Sequence, residues 1–128
     1  MGASEAQAPK ILLLGEELVK NKLLLSNLSK YPNLRILTDF NSFNQLKKAE
    51  VKYIDLIVLE IADSSAEALD WVKQIKSQLP AIKIIVVNSG HSMEIIAKAF
   101  YYGANDFFRT PVDVNLLSER ISSLLDMN

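Results

Sequence analysis

The sequence predicts an α/β fold in which a five-stranded parallel, doubly wound sheet is flanked by five helices. Five short apolar runs alternate with five segments of helical spacing along the 128 residues. Three of the runs are continuously apolar, at 11–14, 56–59 and 84–87. Continuous apolar strands are typical of parallel sheets that helices cover on both faces. The strand–helix alternation therefore indicates right-handed crossovers within one domain.

The apolar runs give the strands, and the spacing of apolar residues between them gives the helices. The predicted strands are Ile11–Leu14, Leu34–Leu37, Asp55–Leu59, Ile82–Val87 and Asp106–Phe108. The predicted helices are Glu16–Lys30, Ser42–Glu50, Ala66–Gln78, Ser92–Tyr102 and Asp113–Met127. Leu18, Leu25 and Leu28 share one face of the first helix, and Gly103 follows the fourth helix as a stop signal.

The other four predicted helices have the same pattern. The second carries Phe43, Leu46 and Ala49 behind a capping candidate at Asn41, and the third carries Leu69, Val72 and Ile75 behind Ser64 and Ser65. The fourth presents Ile95, Ile96, Ala99 and Phe100, and the fifth presents Leu117, Ile121, Leu124 and Leu125. We interpret residues 1–9 as a flexible leader or tag remnant and residues 10–128 as the domain.

Composition excludes several classes of function. Fourteen basic and fifteen acidic residues give a net charge of −1, which lacks the basic field of a dedicated nucleic-acid or anionic-membrane binder. The chain has no cysteine and one histidine, so thiolate chemistry and multi-histidine metal sites are excluded. Its four scattered glycines form no phosphate-binding loop. With no signal peptide or membrane span in view, we expect a cytoplasmic protein that binds neither nucleic acid nor membrane directly.

Function in such a sheet is expected at the carboxyl ends of the strands. The residues there are Gly15, Glu16 and Glu17 after the first strand, Glu60 after the third, Asn88, Ser89 and Gly90 after the fourth, and Arg109, Thr110 and Pro111 after the fifth. This set contains no nucleophile–base pair, and we expect the protein not to be an enzyme.

From Lys10 to Leu125 the chain resembles the receiver domain of two-component response regulators. The first strand reads Lys10-Ile-Leu-Leu-Leu, and the third reads Asp55-Leu-Ile-Val-Leu-Glu60. The most specific stretch is Gly103-Ala-Asn-Asp-Phe-Phe-Arg-Thr-Pro111-Val-Asp113, since receivers usually read there Gly-Ala, acidic, aromatic and then Lys-Pro. The resemblance implies a flavodoxin-like receiver topology and a role in bacterial two-component signal transduction or phosphorelay.

The resemblance also implies a magnesium site after the first strand, where receivers carry two acidic residues. The first of these positions is Gly15 here, and Glu16 keeps a longer carboxylate, with Glu17 beside it. Magnesium requires near-octahedral oxygen ligands. We therefore expect a vestigial acidic pocket in which magnesium binding is weak or absent, and no other cofactor.

The phosphoacceptor aspartate of the family falls on Glu60, whose extra methylene displaces the nucleophilic oxygen. Asn88 occupies the position where the family has a hydroxyl residue. Thr110 occupies the position of the lysine that precedes the proline in the family. These departures predict a degenerate pseudo-receiver that has lost phosphoryl transfer. Two alternatives stay open: a drifted receiver that still accepts a phosphoryl group on Glu60, and a flavodoxin-like module that binds a small ligand.

The switch elements of the family are also altered. The aromatic switch position is Phe107, which is either a rotameric switch or a plain buried ring, and the loop proline is Pro111, whose bond to Thr110 can be cis as in receivers.

Receivers commonly dimerise or bind partners through their fourth helix, fifth strand and fifth helix. Charged positions that match are Lys98, Asp106 and Arg120, and an Asp106–Arg120 pair across a twofold axis is one expectation. Leu116 stands where an acidic residue would face Lys98, and with Tyr102 it makes this face more apolar. We expect a protein partner or a fused output domain, with a homodimer as a further option; solvated charges are the alternative interpretation.

Overall fold

The sheet has five parallel strands in the order β2-β1-β3-β4-β5 within the part of the chain that is described, residues 8–38, 53–61, 66–90 and 92–127 of a computed structural model. The strands are β1 (Lys10–Leu14), β2 (Arg35–Leu37), β3 (Leu56–Ile61), β4 (Lys83–Asn88) and β5 (Asp106–Arg109). All adjacent pairs are parallel, with Ile11 opposite Leu56 and Ile85 opposite Asp106. The predicted fold class is confirmed.

Five helices lie in the described ranges: α1 (Glu16–Lys20), α2 (Lys22–Leu28), α3 (Ala66–Gln78), α4 (Met93–Tyr101) and α5 (Val114–Leu124). The predicted helix Ser42–Glu50 and the predicted caps Asn41, Ser64 and Ser65 lie outside the described residues. None of the helices in the four described ranges is long and apolar enough to span a membrane.

The first predicted helix, Glu16–Lys30, is wrong as a single element because the chain breaks at Asn21. This residue has extended backbone, with φ −79° and ψ 97°, and its side-chain Oδ1 accepts a hydrogen bond from the Leu24 backbone N–H at 3.0 Å. Asn21 therefore caps the start of α2. The break leaves α1 as a separate five-residue turn at the carboxyl edge of the sheet.

The later helix boundaries follow from side-chain caps. Ser92 accepts from the Ile95 N–H before α4, and Asp113 accepts from the Leu116 N–H before α5. Both residues were predicted inside their helices and instead precede them, as capping residues do. Gly103, with φ 119°, follows α4 closely and confirms the predicted stop.

Each face of the sheet has its own apolar core. Alternate residues of each strand point to opposite faces, so Leu12 and Leu14 pack with α3 and α4, whereas Ile11 and Leu13 pack with α1, α2 and α5. The central strands β1, β3 and β4 are almost completely buried. This double cover holds the carboxyl ends of the strands in fixed positions at one edge.

Candidate functional site

A cleft of about 540 Å³ lies at the carboxyl edge of the sheet. Residues of α1, the ends of β3 and β4, and the segment after β5 line it. Of the residues expected at this edge, the structure brings five to the wall of the cleft: Glu17, Glu60, Ser89, Thr110 and Pro111. The location agrees with the rule that open α/β sheets bind ligands beyond the carboxyl ends of their strands.

The Glu60 side chain, on β3, is hydrogen-bonded to the start of α1. Its carboxylate Oε1 accepts hydrogen bonds from the backbone N–H groups of Glu17 at 3.0 Å and Leu18 at 3.2 Å. The first N–H groups of a helix lack partners within the helix, so an external carboxylate satisfies them. Gly15, which precedes α1, has no side-chain cap to offer, and Glu60 supplies one from the neighbouring strand.

Gly15 makes room for this arrangement. A Cβ atom at position 15 would lie 2.3 Å from the Glu60 Cβ and 2.4 Å from its Oε1, which are distances that no real side chain adopts. The backbone of Gly15 also has φ 144°, a conformation that residues with a side chain rarely adopt. Position 15 is therefore restricted to glycine while Glu60 keeps this place.

Glu16 lies outside the cleft wall, on the exposed surface of α1. Its Oε1 accepts a hydrogen bond from Lys20 Nζ at 2.9 Å, and this bond together with the positive charge of Lys20 lowers the pKa of Glu16. Lys20 has a raised pKa for the reciprocal reason. Within the described residues, no group of three or more His, Cys, Asp or Glu side chains is arranged to hold a metal ion.

Asn88 is buried behind the cleft, with 1% of its surface exposed. Its Nδ2 donates to the Ile61 carbonyl at 2.7 Å, and its Oδ1 accepts from the Gly90 N–H at 2.7 Å. The amide thus ties the end of β3 to the turn after β4. A buried side chain with both ends engaged is a structural clamp.

The segment after β5 completes the wall of the cleft. The Thr110–Pro111 peptide bond is cis, as the resemblance suggested. Arg109 is exposed, and the described residues that line the cleft include no lysine or arginine. Phe107 is half-buried and packs on the α3/α4 core, while Phe108 packs on the opposite core.

Asp106 and Arg120, which were expected to pair across a twofold axis, lie within pairing distance of each other in the same chain. Arg120 Nε lies 2.7 Å from Asp106 Oδ2. The Nε–H is not aligned for a hydrogen bond, so the contact is an ion pair only. The pair forms because β5 is an edge strand and α5 packs beside it, which brings the start of β5 within reach of the helix.

The surface around α4 and α5 combines charged and exposed apolar side chains. Lys98 pairs with Glu94 one turn earlier on α4, at 3.3 Å. Large apolar side chains are exposed at Met93, Phe100, Tyr101 and Leu116. The half-buried Tyr102 instead packs on the α3/α4 core, with Lys73 Nζ 5.8 Å from its ring centre.

Residues that sequence analysis missed also line the cleft. Leu18, Asn21 and Val112 contribute to its wall, although none was predicted as a site residue. Asn21 carried a usable signal, because an asparagine three residues before a leucine inside a helical pattern is a capping candidate.

Comparison with known proteins gives sequence relatives among response regulators. The chain is 23% identical to the transcriptional regulatory protein ZraR of Klebsiella oxytoca over 114 residues, or 89% of the chain and 26% of ZraR. It is 28% identical to the response regulator ArlR of Staphylococcus aureus over 95 residues, or 74% of the chain and 43% of ArlR. The chain thus spans less than half the length of these relatives. No model of a protein family matches it.

Solved structures share the fold at low sequence identity. The signal receiver domain of the DNA binding response regulator merR from Colwellia psychrerythraea matches with TM-score 0.77 and 19% identity, covering 93% of this chain and 99% of that one. A pilus assembly-related protein from Burkholderia pseudomallei matches with TM-score 0.76 and 15% identity, covering 94% and 92%.

A third solved structure belongs to an atypical orphan response regulator, described as revealing a phosphorylation-independent regulatory mechanism. It matches with TM-score 0.64 and 22% identity, covering 91% of this chain and 95% of that one. These structures show the fold, while the sequence relatives are regulators. Relatives and fold together make this chain similar to the receiver domains of response regulators.

Proposed function

We propose that this chain is a pseudo-receiver that signals through protein contact without accepting a phosphoryl group. The observation that carries the proposal is the Glu60 carboxylate, which is hydrogen-bonded to the N–H groups of Glu17 and Leu18. Phosphoryl transfer requires an acceptor oxygen in line with the phosphorus atom and cations that neutralise the transferred group, so a carboxylate held as a helix cap is a poor acceptor. Here the carboxylate at the acceptor position serves as the cap of α1.

The missing cation supports the same proposal. Phosphoryl transfer depends on positive groups that stabilise the charge of the transferred group. Thr110 occupies the position of the family's lysine, and neither lysine nor arginine lines the cleft within the described residues. A phosphoryl group on Glu60 would therefore lie beside Glu17 with no counter-charge from the wall.

The residues present do not fit a magnesium ion. Gly15 offers no ligand, Glu16 pairs with Lys20, and Oε1 of Glu60 already accepts two backbone hydrogen bonds. Octahedral coordination at short distance requires several converging oxygens. We therefore propose that the domain works without magnesium and without another cofactor.

Protein contact is the output that the surface favours. The exposed apolar side chains of α4 and α5 are of the kind enriched at protein interfaces. Because Asp106 and Lys98 already have partners within the chain, they are less available for a charged pairing between two copies. An output domain is a further proposal, since the chain matches only 26% and 43% of its relatives' lengths.

The test uses magnesium and beryllium fluoride, which together mimic a phosphoryl group on a carboxylate. We expect the amide NMR spectrum of the wild-type protein to stay unchanged in their presence. A reconstructed variant that combines Glu60→Asp and Thr110→Lys restores the acceptor and the lysine, and it keeps Gly15 because a Cβ there would lie 2.3 Å from the Cβ of residue 60. We expect its spectrum to shift around α1 and the segment after β5.

Two results would overturn the proposal. The first is a saturable shift of wild-type resonances around Glu60 at the same reagent concentrations. The second is a shift in the wild-type protein that disappears in Glu60→Gln, because that would identify Glu60 as a working acceptor. The single variant Thr110→Lys is the matched control, since it restores the cation alone and keeps Glu60 on α1.

A further inference from the structure

The cleft at the carboxyl edge has the size of a small-molecule site. Its volume of about 540 Å³ lies within the range of roughly 300–1,000 Å³ that is usual for such sites. Five apolar residues form much of the wall: Leu18, Ile61, Val87, Pro111 and Val112. Apolar walls with a few polar groups are the common composition of ligand pockets.

The charge of the wall selects the kind of ligand. Glu17 and Glu60 are the charged side chains among the described lining residues, and both are acidic. Glu60 uses Oε1 for both backbone hydrogen bonds, and its Oε2 accepts none from the described residues. An anion in this cleft would face two carboxylates without a counter-charge, whereas a cation would gain a charge-assisted hydrogen bond.

We propose that the cleft binds a small organic cation, namely a primary ammonium group on an apolar body. The ammonium group pairs with Glu60, and the body covers the apolar wall. A metal ion is the poorer occupant, since the described residues bring no three ligating side chains together and the wall is largely apolar. This inference goes beyond the proposed function, because it names an input for a receiver that takes no phosphoryl group.

The test compares three probes of one shape and different charge. They are 2-phenylethylamine, which is cationic at neutral pH, 2-phenylethanol, which is neutral, and phenylacetate, which is anionic. Binding to the wild-type protein is measured by amide NMR titration up to about 10 mM, which reaches millimolar dissociation constants. We expect the amine to bind at least about tenfold more tightly than the alcohol, with phenylacetate weaker still.

Two variants locate the site. Glu60→Gln keeps an acceptor for the α1 backbone and removes the charge, and we expect it to weaken amine binding at least about tenfold. Glu94→Gln removes a charge from the exposed side of α4, which lies outside the cleft wall, and should leave binding unchanged.

The proposal is overturned if the amine does not bind by 10 mM, if the alcohol or phenylacetate binds equally well, or if both variants weaken binding alike. The comparison of the three probes uses the wild-type protein. Its result therefore remains valid even when a variant folds poorly. Amine binding and phosphoryl acceptance are measured in separate experiments. A negative result for amine binding therefore does not change the result for phosphoryl acceptance, and the reverse also holds.

Discussion

Gly15 and Glu60 are interlocked, because the Glu60 side chain fills the volume that any side chain at position 15 would need. The Glu60 Cβ lies 2.3 Å from the place of a Cβ on Gly15. The carboxylate that fills this space then caps α1 through two backbone N–H groups. A side chain at position 15 therefore requires residue 60 to move.

Gly15→Ala should destabilise the fold strongly. The added Cβ meets the backbone-proximal part of Glu60 and imposes strain at φ 144°, so we expect a loss of about 3 kcal/mol in the free energy of unfolding. Gly103→Ala is the matched control, since Gly103 has φ 119° but its Cβ would meet the flexible side chain of Lys76. Urea unfolding should give a smaller loss there, of about 1 kcal/mol. Equal losses would show that backbone strain alone explains Gly15.

Removing the Asn88 side chain should loosen the wall of the cleft. Asn88→Ala leaves the Ile61 carbonyl and the Gly90 N–H without this side chain's hydrogen bonds, which costs about 1–3 kcal/mol. Asn88→Ser, which restores the family's hydroxyl, is too short to bridge both groups and should also destabilise the protein. The exposed neighbour Ser89 is the control, because Ser89→Ala should change stability by less than about 0.5 kcal/mol. Thermal or urea unfolding of the three variants decides the point.

The Asp106–Arg120 ion pair should behave as a contact within one chain. Because it is partly exposed, Asp106→Asn should cost about 0.5–1 kcal/mol. The loss should be the same over a hundredfold range of protein concentration, since no second copy takes part. A loss of stability that grows with protein concentration, together with a dimer mass in sedimentation, would show that this pair forms between two copies of the chain.

Lys76 should make stability depend on alkaline pH. Burial and the nearby positive charge of Lys83 lower the pKa of Lys76 in the folded protein, so the unfolded chain binds more protons at that pH. Stability must then rise with pH as Lys76 loses its proton in the folded state. We expect the stability of wild type relative to Lys76→Met to increase as the pH approaches the ordinary lysine pKa of about 10.4 from below. A stability difference between wild type and Lys76→Met that stays constant or falls with pH would contradict this prediction.

The sheet could be predicted from sequence because a two-sided sheet produces continuous apolar runs such as those at 11–14 and 84–87. The break at Asn21 was missed, since the apolar spacing of Leu18, Leu25 and Leu28 continues across it. The hydrogen bond from the Leu24 N–H to the Asn21 side chain starts a new helix there. Hydrophobic periodicity carries no information about such local hydrogen bonds.

The sequence predicted where the site lies in the fold, but it did not predict how the side chains of the site contact one another. Glu60 and Gly15 were both identified, whereas their mutual dependence needs interatomic distances between residues 45 positions apart. Asp106 and Arg120 were likewise identified, but sequence cannot say whether a charge pair forms within a chain or between copies. Glu16 was expected in the pocket, and an exposed partner one turn away, Lys20, holds it outside.

The most direct test of the account is the intact mass of the wild-type protein after incubation with magnesium and a small phosphodonor such as phosphoramidate. We expect no gain of a phosphoryl group, because the Glu60 carboxylate caps α1 and no lysine is among the described residues that line the cleft. A gain of one phosphoryl group in wild type that is lost in Glu60→Gln would contradict it.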